Sequence, residues 1–114
     1  MKFSGPFQLW SYDVSHSYLL LRSTKTDARP TQIDVMFKGV KRIDLPVLID
    51  NLEVRDLDVE ADGPHGFQLT GSGVEGLVIA WVGAWLENDL EYYDPSPLLP
   101  DLEIDPTLGT LRLF

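Results

Sequence analysis

Apolar and polar residues alternate with a period of two along much of residues 1–90, the pattern of half-buried strands. In "TQIDVMFK", Ile33, Val35 and Phe37 fall on one face, with Gln32, Asp34 and Lys38 on the other. Residues 7–14 are aromatic and β-rich, and residues 16–23 follow after a very short connection. Gly39 is expected to make a tight turn or bulge, because glycine alone adopts positive φ without cost. A further strand follows in "VKRIDLP" and is stopped by Pro46. In "NLEVRDLDVEAD", Leu52 and Val54 have one parity, Leu57, Val59 and Ala61 the other. A bulge at Arg55–Asp56 would absorb the slip. "DGPHG", residues 62–66, reads as a turn into "FQLTGSG", with Phe67 and Leu69 inward.

The segment "GLVIAWVGAWLENDLEYYDPSP", residues 76–97, fits both periods because it is almost wholly apolar at its start. As a helix near 74–92 it has an apolar stripe and a Ser72/Glu75 capping box. Against this, Gly73, Gly76 and Gly83 each cost a helix about 1 kcal/mol relative to alanine. Glu87, Asp89 and Glu91 would sit at the negative end of its dipole. Valine, isoleucine and tryptophan also favour strands. A strand over 75–87 is therefore expected, with Trp81, Gly83 and Trp85 on one face. Residues 94–114 carry four prolines and are expected to form an irregular C-terminal tail, with a short final strand at 110–114. The tail is too apolar to be left in solvent, so it is expected to wrap the core or a neighbouring subunit. Together these elements predict a single all-β domain spanning residues 1–114. Its six to seven strands would form an antiparallel meander: a β-sandwich, roll or partly open barrel.

Charge changes the picture more than composition does. The formal net charge is −9. Residues 1–49 hold seven basic and four acidic side chains; residues 50–114 hold two basic and fourteen acidic. The acidic second half repels phosphate, so nucleic acid and anionic membranes are not expected partners, while a basic protein is. The longest apolar run, residues 77–82, is far short of a membrane span, and residues 1–13 lack the features of a signal peptide. Cysteine is absent, which removes disulfides, thiol nucleophiles and thiolate metal sites. A cytoplasmic protein is expected.

Candidate chemistry is sparse. His16 and His65 each follow an aspartate, Asp13 and Asp62, by three positions, which fits an acid/base pair or an aspartate-capped turn. Zinc-ligand spacing, a nucleophile elbow and a phosphate loop are all missing. The alternating acids Asp56, Asp58, Glu60 and Glu87, Asp89, Glu91 would lie about 7 Å apart along a strand face, without a calcium-loop pattern. No catalysis and no cofactor is expected.

The aromatic segment is the strongest functional signal. If both faces of its strand are apolar, something must cover the second face: the tail, a partner or a ligand. The reading favoured is a non-catalytic interaction protein that captures a basic protein through Glu87, Asp89, Glu91, Tyr92 and Tyr93. Antidote or immunity proteins and adaptor domains share these general traits, a likeness of composition and not of motif. The alternative is a carbohydrate or small-molecule binding domain with Trp81 and Trp85 as its platform. A homodimer joined by oppositely charged halves is a further expectation.

Overall fold

The computed structural model describes residues 1–96 and the backbone of 111–113. Its strands are β1 (Pro6–Asp13), β2 (Tyr18–Ser23), β3 (Gln32–Lys38), β4 (Arg42–Asp44), β5 (Leu48–Asp50), β6 (Glu53–Asp56), β7 (His65–Gly71), β8 (Val74–Ala80), β9 (Val82–Asn88) and β10 (Leu111–Leu113). They form a six-stranded sheet, β10-β9-β3-β2-β1-β5, and a four-stranded sheet, β4-β8-β7-β6. The strand pairs are antiparallel, as expected for a β-sandwich or roll. No helix among the described residues is long and apolar enough to cross a membrane.

The inner faces meet through the alternation visible in the sequence. Leu19, Leu21, Ile33, Val35 and Phe37 from the larger sheet face Val54, Phe67, Leu69, Val78 and Ala80 from the smaller one. The rings of Phe37 and Phe67 bridge the sheets with centroids 5.1 Å apart. β1-β2-β3, β6-β7-β8 and β9-β10 pair in chain order; the neighbours β3-β9, β1-β5 and β4-β8 are set by crossings between sheets. Among the described residues there are ten short strands, more than the six to seven expected, because the chain crosses between sheets.

One crossing falls inside the apolar segment expected to be a single strand over 75–87. The chain is extended there, but β8 and β9 belong to different sheets and Trp81 lies between them. The Trp81 amide donates to the carbonyl of Lys38 at 3.0 Å, and the Lys41 amide donates to that of Ile79 at 2.6 Å. The β3–β4 and β8–β9 crossings are thus knitted together. Gly39 has φ 65°, and a β-carbon there would lie 2.6 Å from Cδ1 of Trp81. Only glycine suits both the left-handed backbone and the indole against it.

The expected bulge at Arg55–Asp56 is replaced by the end of β6. Asp56 Oδ1 accepts from the Asp58 amide at 2.9 Å, and Asp58 Oδ2 accepts from the Gly66 amide at 2.7 Å. These aspartates turn the backbone, as short acidic side chains do in loops, leaving Leu57 and Val59 exposed instead of core-facing.

Both faces of the larger sheet's centre are buried. Every residue of β2 is buried, and Tyr18, Leu20, Met36 and Leu86 form a second apolar cluster away from the main core. Beside it on this outer face, Arg22 and Asp34 form a buried, two-bonded ion pair of 2.7 and 3.0 Å. Residues 92–96 cover part of the face: Arg22 Nη1 donates to the carbonyls of Tyr92 and Asp94, both at 2.9 Å, and Ser96 is buried. The start of the expected tail therefore lies on the sheet. Residues 97–110, which hold most of that tail, lie outside the described residues. The short terminal strand expected at 110–114 is β10, paired with β9.

Candidate functional site

A concave surface lined by three aromatic rings, Trp10, Tyr92 and Tyr93, lies on the outer face of the larger sheet. A break in the β1–β2 register builds it. Leu9 pairs with Leu21, but Ser11 pairs with Leu20, so Trp10 is the extra residue of a bulge. Such a bulge re-aims a side chain, and here Trp10 joins Ser11, Leu20 and Arg22 around a cleft of about 430 Å³. The opposite wall is the turn after β9, including Tyr92, Tyr93 and Asp94.

Arg22 organises this cleft without being available to it. Its Nε and Nη2 bind Asp34, its Nη1 binds two carbonyls, and its Cζ stands 5.3 Å from the Trp10 ring centroid. The guanidinium therefore fixes both the floor and the far wall. Tyr92 and Tyr93 meet edge to face with centroids 5.3 Å apart, and they remain 59% and 70% exposed. Two large rings are thus presented side by side to solvent at the cleft.

The acids expected to flank these tyrosines are present but play unequal roles. Glu87, near the end of β9, accepts from the hydroxyl of Thr31. Glu91 pairs with Lys25 at 2.7 Å and holds the lysine above its ordinary pKa, an effect to which the fields of Asp89 and Asp94 add. Asp94 Oδ2 accepts from the Glu91 amide at 2.8 Å and closes the turn, while its Oδ1 takes no hydrogen bond among the described residues. Asp89 is exposed and makes no hydrogen bond there either. The five expected contact residues thus lie on one stretch: Tyr92 and Tyr93 line the cleft, Glu87 is opposite Ile33 on the core-side face of β9, and Asp89 and Glu91 follow in the turn without lining the cleft. Glu87 and Glu91 also hold their own fold.

The expected tryptophan platform is not assembled. Crossing between sheets at Trp81 turns Gly83 and Trp85 toward the core, opposite Phe37 and Val35 in the β3 register. Trp85 packs there, edge-on to Phe3 with centroids 5.2 Å apart. Trp81 is left at the corner, 52% exposed, so the two indoles flank no common notch.

The histidines do not converge. His16 sits in the β1–β2 turn with Nδ1 2.9 Å from Asp13 Oδ2, in an aspartate-capped turn. His65 opens β7 in the other sheet, and its partner is Asp56 at 2.8 Å, not Asp62. Sequence proximity suggested Asp62, but strand pairing of β6 with β7 brings Asp56 alongside. Asp56, Asp58 and Glu60 share no strand face, because β6 ends at Asp56. No group of three or more histidine or acidic side chains that could hold a metal occurs among the described residues.

Trp10 and Arg22 were not singled out by the sequence pattern. A signal was available for Arg22: "YLLLRS" and "QIDVMF" each set one charge in an apolar strand, and the two charges are opposite. For Trp10 no local signal exists, since the bulge shows only in the register. In comparisons with known proteins, no family, no curated sequence and no solved structure matches this chain.

Proposed function

We propose that the protein is a small, acidic, non-catalytic interaction module, immunity-like or adaptor-like, that binds a basic protein. The observation that carries this reading is the Trp10–Tyr92–Tyr93 cleft, one wall of which belongs to a stretch, 87–94, whose acids are not all paired with a cation among the side chains of residues 1–96. Among the side chains of residues 1–96, Lys25 is the one lysine or arginine that an ion pair links to the 87–94 acids. Aromatic rings supply contact area at low entropic cost, and acids steer a basic surface toward them. A cytoplasmic site of action belongs to the same proposal, since a chain without cysteine needs no oxidising compartment.

The test is capture of basic proteins from native lysate, identified by mass spectrometry. The bait is compared with its Glu87→Gln, Asp89→Asn, Glu91→Gln variant. Neutral isosteres keep the Thr31 and Lys25 hydrogen bonds that charge reversal would break. Capture is expected to fall by about tenfold or more while the melting temperature stays within a few degrees, as for loss of exposed charges. Undiminished capture of the same basic protein would remove the acidic surface from the function.

A further inference from the structure

Resting on that reading, we infer that the cleft between Trp10 and Tyr92 is the seat for one lysine or arginine side chain of the basic partner, with Asp94 as its counter-charge. Three observations select a cation over other occupants. The rings of Trp10, Tyr92 and Tyr93 line one concave surface, and ring faces attract a cation through their quadrupoles. The fold already uses this chemistry at the same place, since Arg22 stands over the Trp10 ring.

The charge balance is the second observation. Arg22 is neutralised by Asp34 in a two-bonded pair, so it neither repels a second cation strongly nor recruits an anion. Glu91 is matched by Lys25. Asp94, on the wall of the cleft, and Asp89, five residues earlier, have no lysine or arginine in salt-bridge contact among the side chains of residues 1–96. An anionic ligand would meet these carboxylates first.

The third observation concerns hydrogen bonding. The carbonyls of Tyr92 and Asp94 already accept from Arg22. Asp94 lines the cleft, and its second carboxylate oxygen, Oδ1, takes no hydrogen bond among the described residues. A neutral sugar needs several fixed donors and acceptors for its hydroxyls, whereas a cation on an aliphatic stem needs ring faces and one carboxylate.

The experiment titrates the intact protein with Nα-acetyl-lysine amide and Nα-acetyl-arginine amide, then with glucose and Nα-acetyl-proline amide. Two-dimensional NMR follows the Trp10 indole and the Tyr92 and Tyr93 rings. The cationic probes are expected to shift these signals saturably, with a response that weakens as salt rises. Asp94→Asn and Tyr92→Leu are each expected to weaken the effect by about tenfold. Unchanged amide spectra in β2 and β3 would show that these variants keep the fold. Equal response to glucose or the proline amide, or cation-induced shifts centred elsewhere, would overturn the assignment.

A second arm separates this inference from the reading it rests on. A lysine-rich peptide is titrated against the parent and against Trp10→Leu. If the peptide binds both equally and in a salt-dependent way, the acidic module stands and the cleft is not its seat. If it binds neither, the interaction with basic partners fails as well.

Discussion

Asp13 shows how a single residue sets a turn and how the pH dependence follows. Its Oδ1 accepts from the Ser15 amide at 3.0 Å and the Ser15 hydroxyl at 2.8 Å, while Oδ2 meets His16 Nδ1 at 2.9 Å. These bonds favour the carboxylate, the Ser15 hydroxyl foremost and His16 next, and lower its pKa from 3.8 to about 2. A depressed carboxyl pKa stabilises the turn at pH values above the ordinary one. That support is lost as pH falls through the folded value. The Asp13 carboxyl signal in an NMR titration should therefore have its midpoint at about 2, and Ser15→Ala should move it up toward 3.8. A midpoint of 3.8 in the parent would mean the bonds are not formed in solution. The aspartate-before-histidine spacing was legible here because the contact spans three residues. The His65 partner was not legible, because Asp56 arrives through strand pairing nine residues away.

At the scale of elements, Arg22 ties β2 to β3 and to the turn after β9. Arg22→Met removes the cation and leaves the Asp34 carboxylate buried without a partner, at a cost of about 3–5 kcal/mol. Urea unfolding should show that loss. Adding Asp34→Leu should recover most of it, since an apolar pair replaces the buried charges. The double variant still lacks a donor for the carbonyls of Tyr92 and Asp94, so hydrogen exchange should quicken across residues 91–96 although global stability returns. Unchanged exchange there would show that the turn holds without Arg22. Elements of clear alternation, such as β3 and β7, were readable from sequence because one face is apolar. The 74–88 stretch was readable as extended but not as two strands, because apolar residues on both parities hide the change of sheet at Trp81.

At the scale of the whole molecule, the uneven charge of the two halves is partly resolved inside one chain. Lys25 from the basic half pairs with Glu91, Lys2 approaches Glu53 at 4.0 Å, and Arg22 holds the carbonyls of Tyr92 and Asp94. Arg29 is likewise engaged with carbonyls of Ser4, Ser23, Thr24 and Thr31. Of these contacts, the Lys25–Glu91 and Lys2–Glu53 pairs match charges of the two halves within one chain, which reduces the charge difference that would join two copies. Light scattering is expected to give the 12.8 kDa single-chain mass at both low and high salt. A doubled mass at low salt that collapses at high salt would restore the dimer.

From the sequence alone came the all-β class, most strand positions, the turn at Gly39, the capped turn at Asp13 and the acidic second half with its aromatic stretch. Each of these is carried by local periodicity, backbone preference or charge, which act over a few residues. Tertiary structure alone decided that Trp81 sits at a corner, that Trp85 is spent on the core, and that Trp10 joins Tyr92 and Tyr93. Those placements depend on strand register and on crossings between sheets, where residues far apart in the chain meet and no local pattern records which ones.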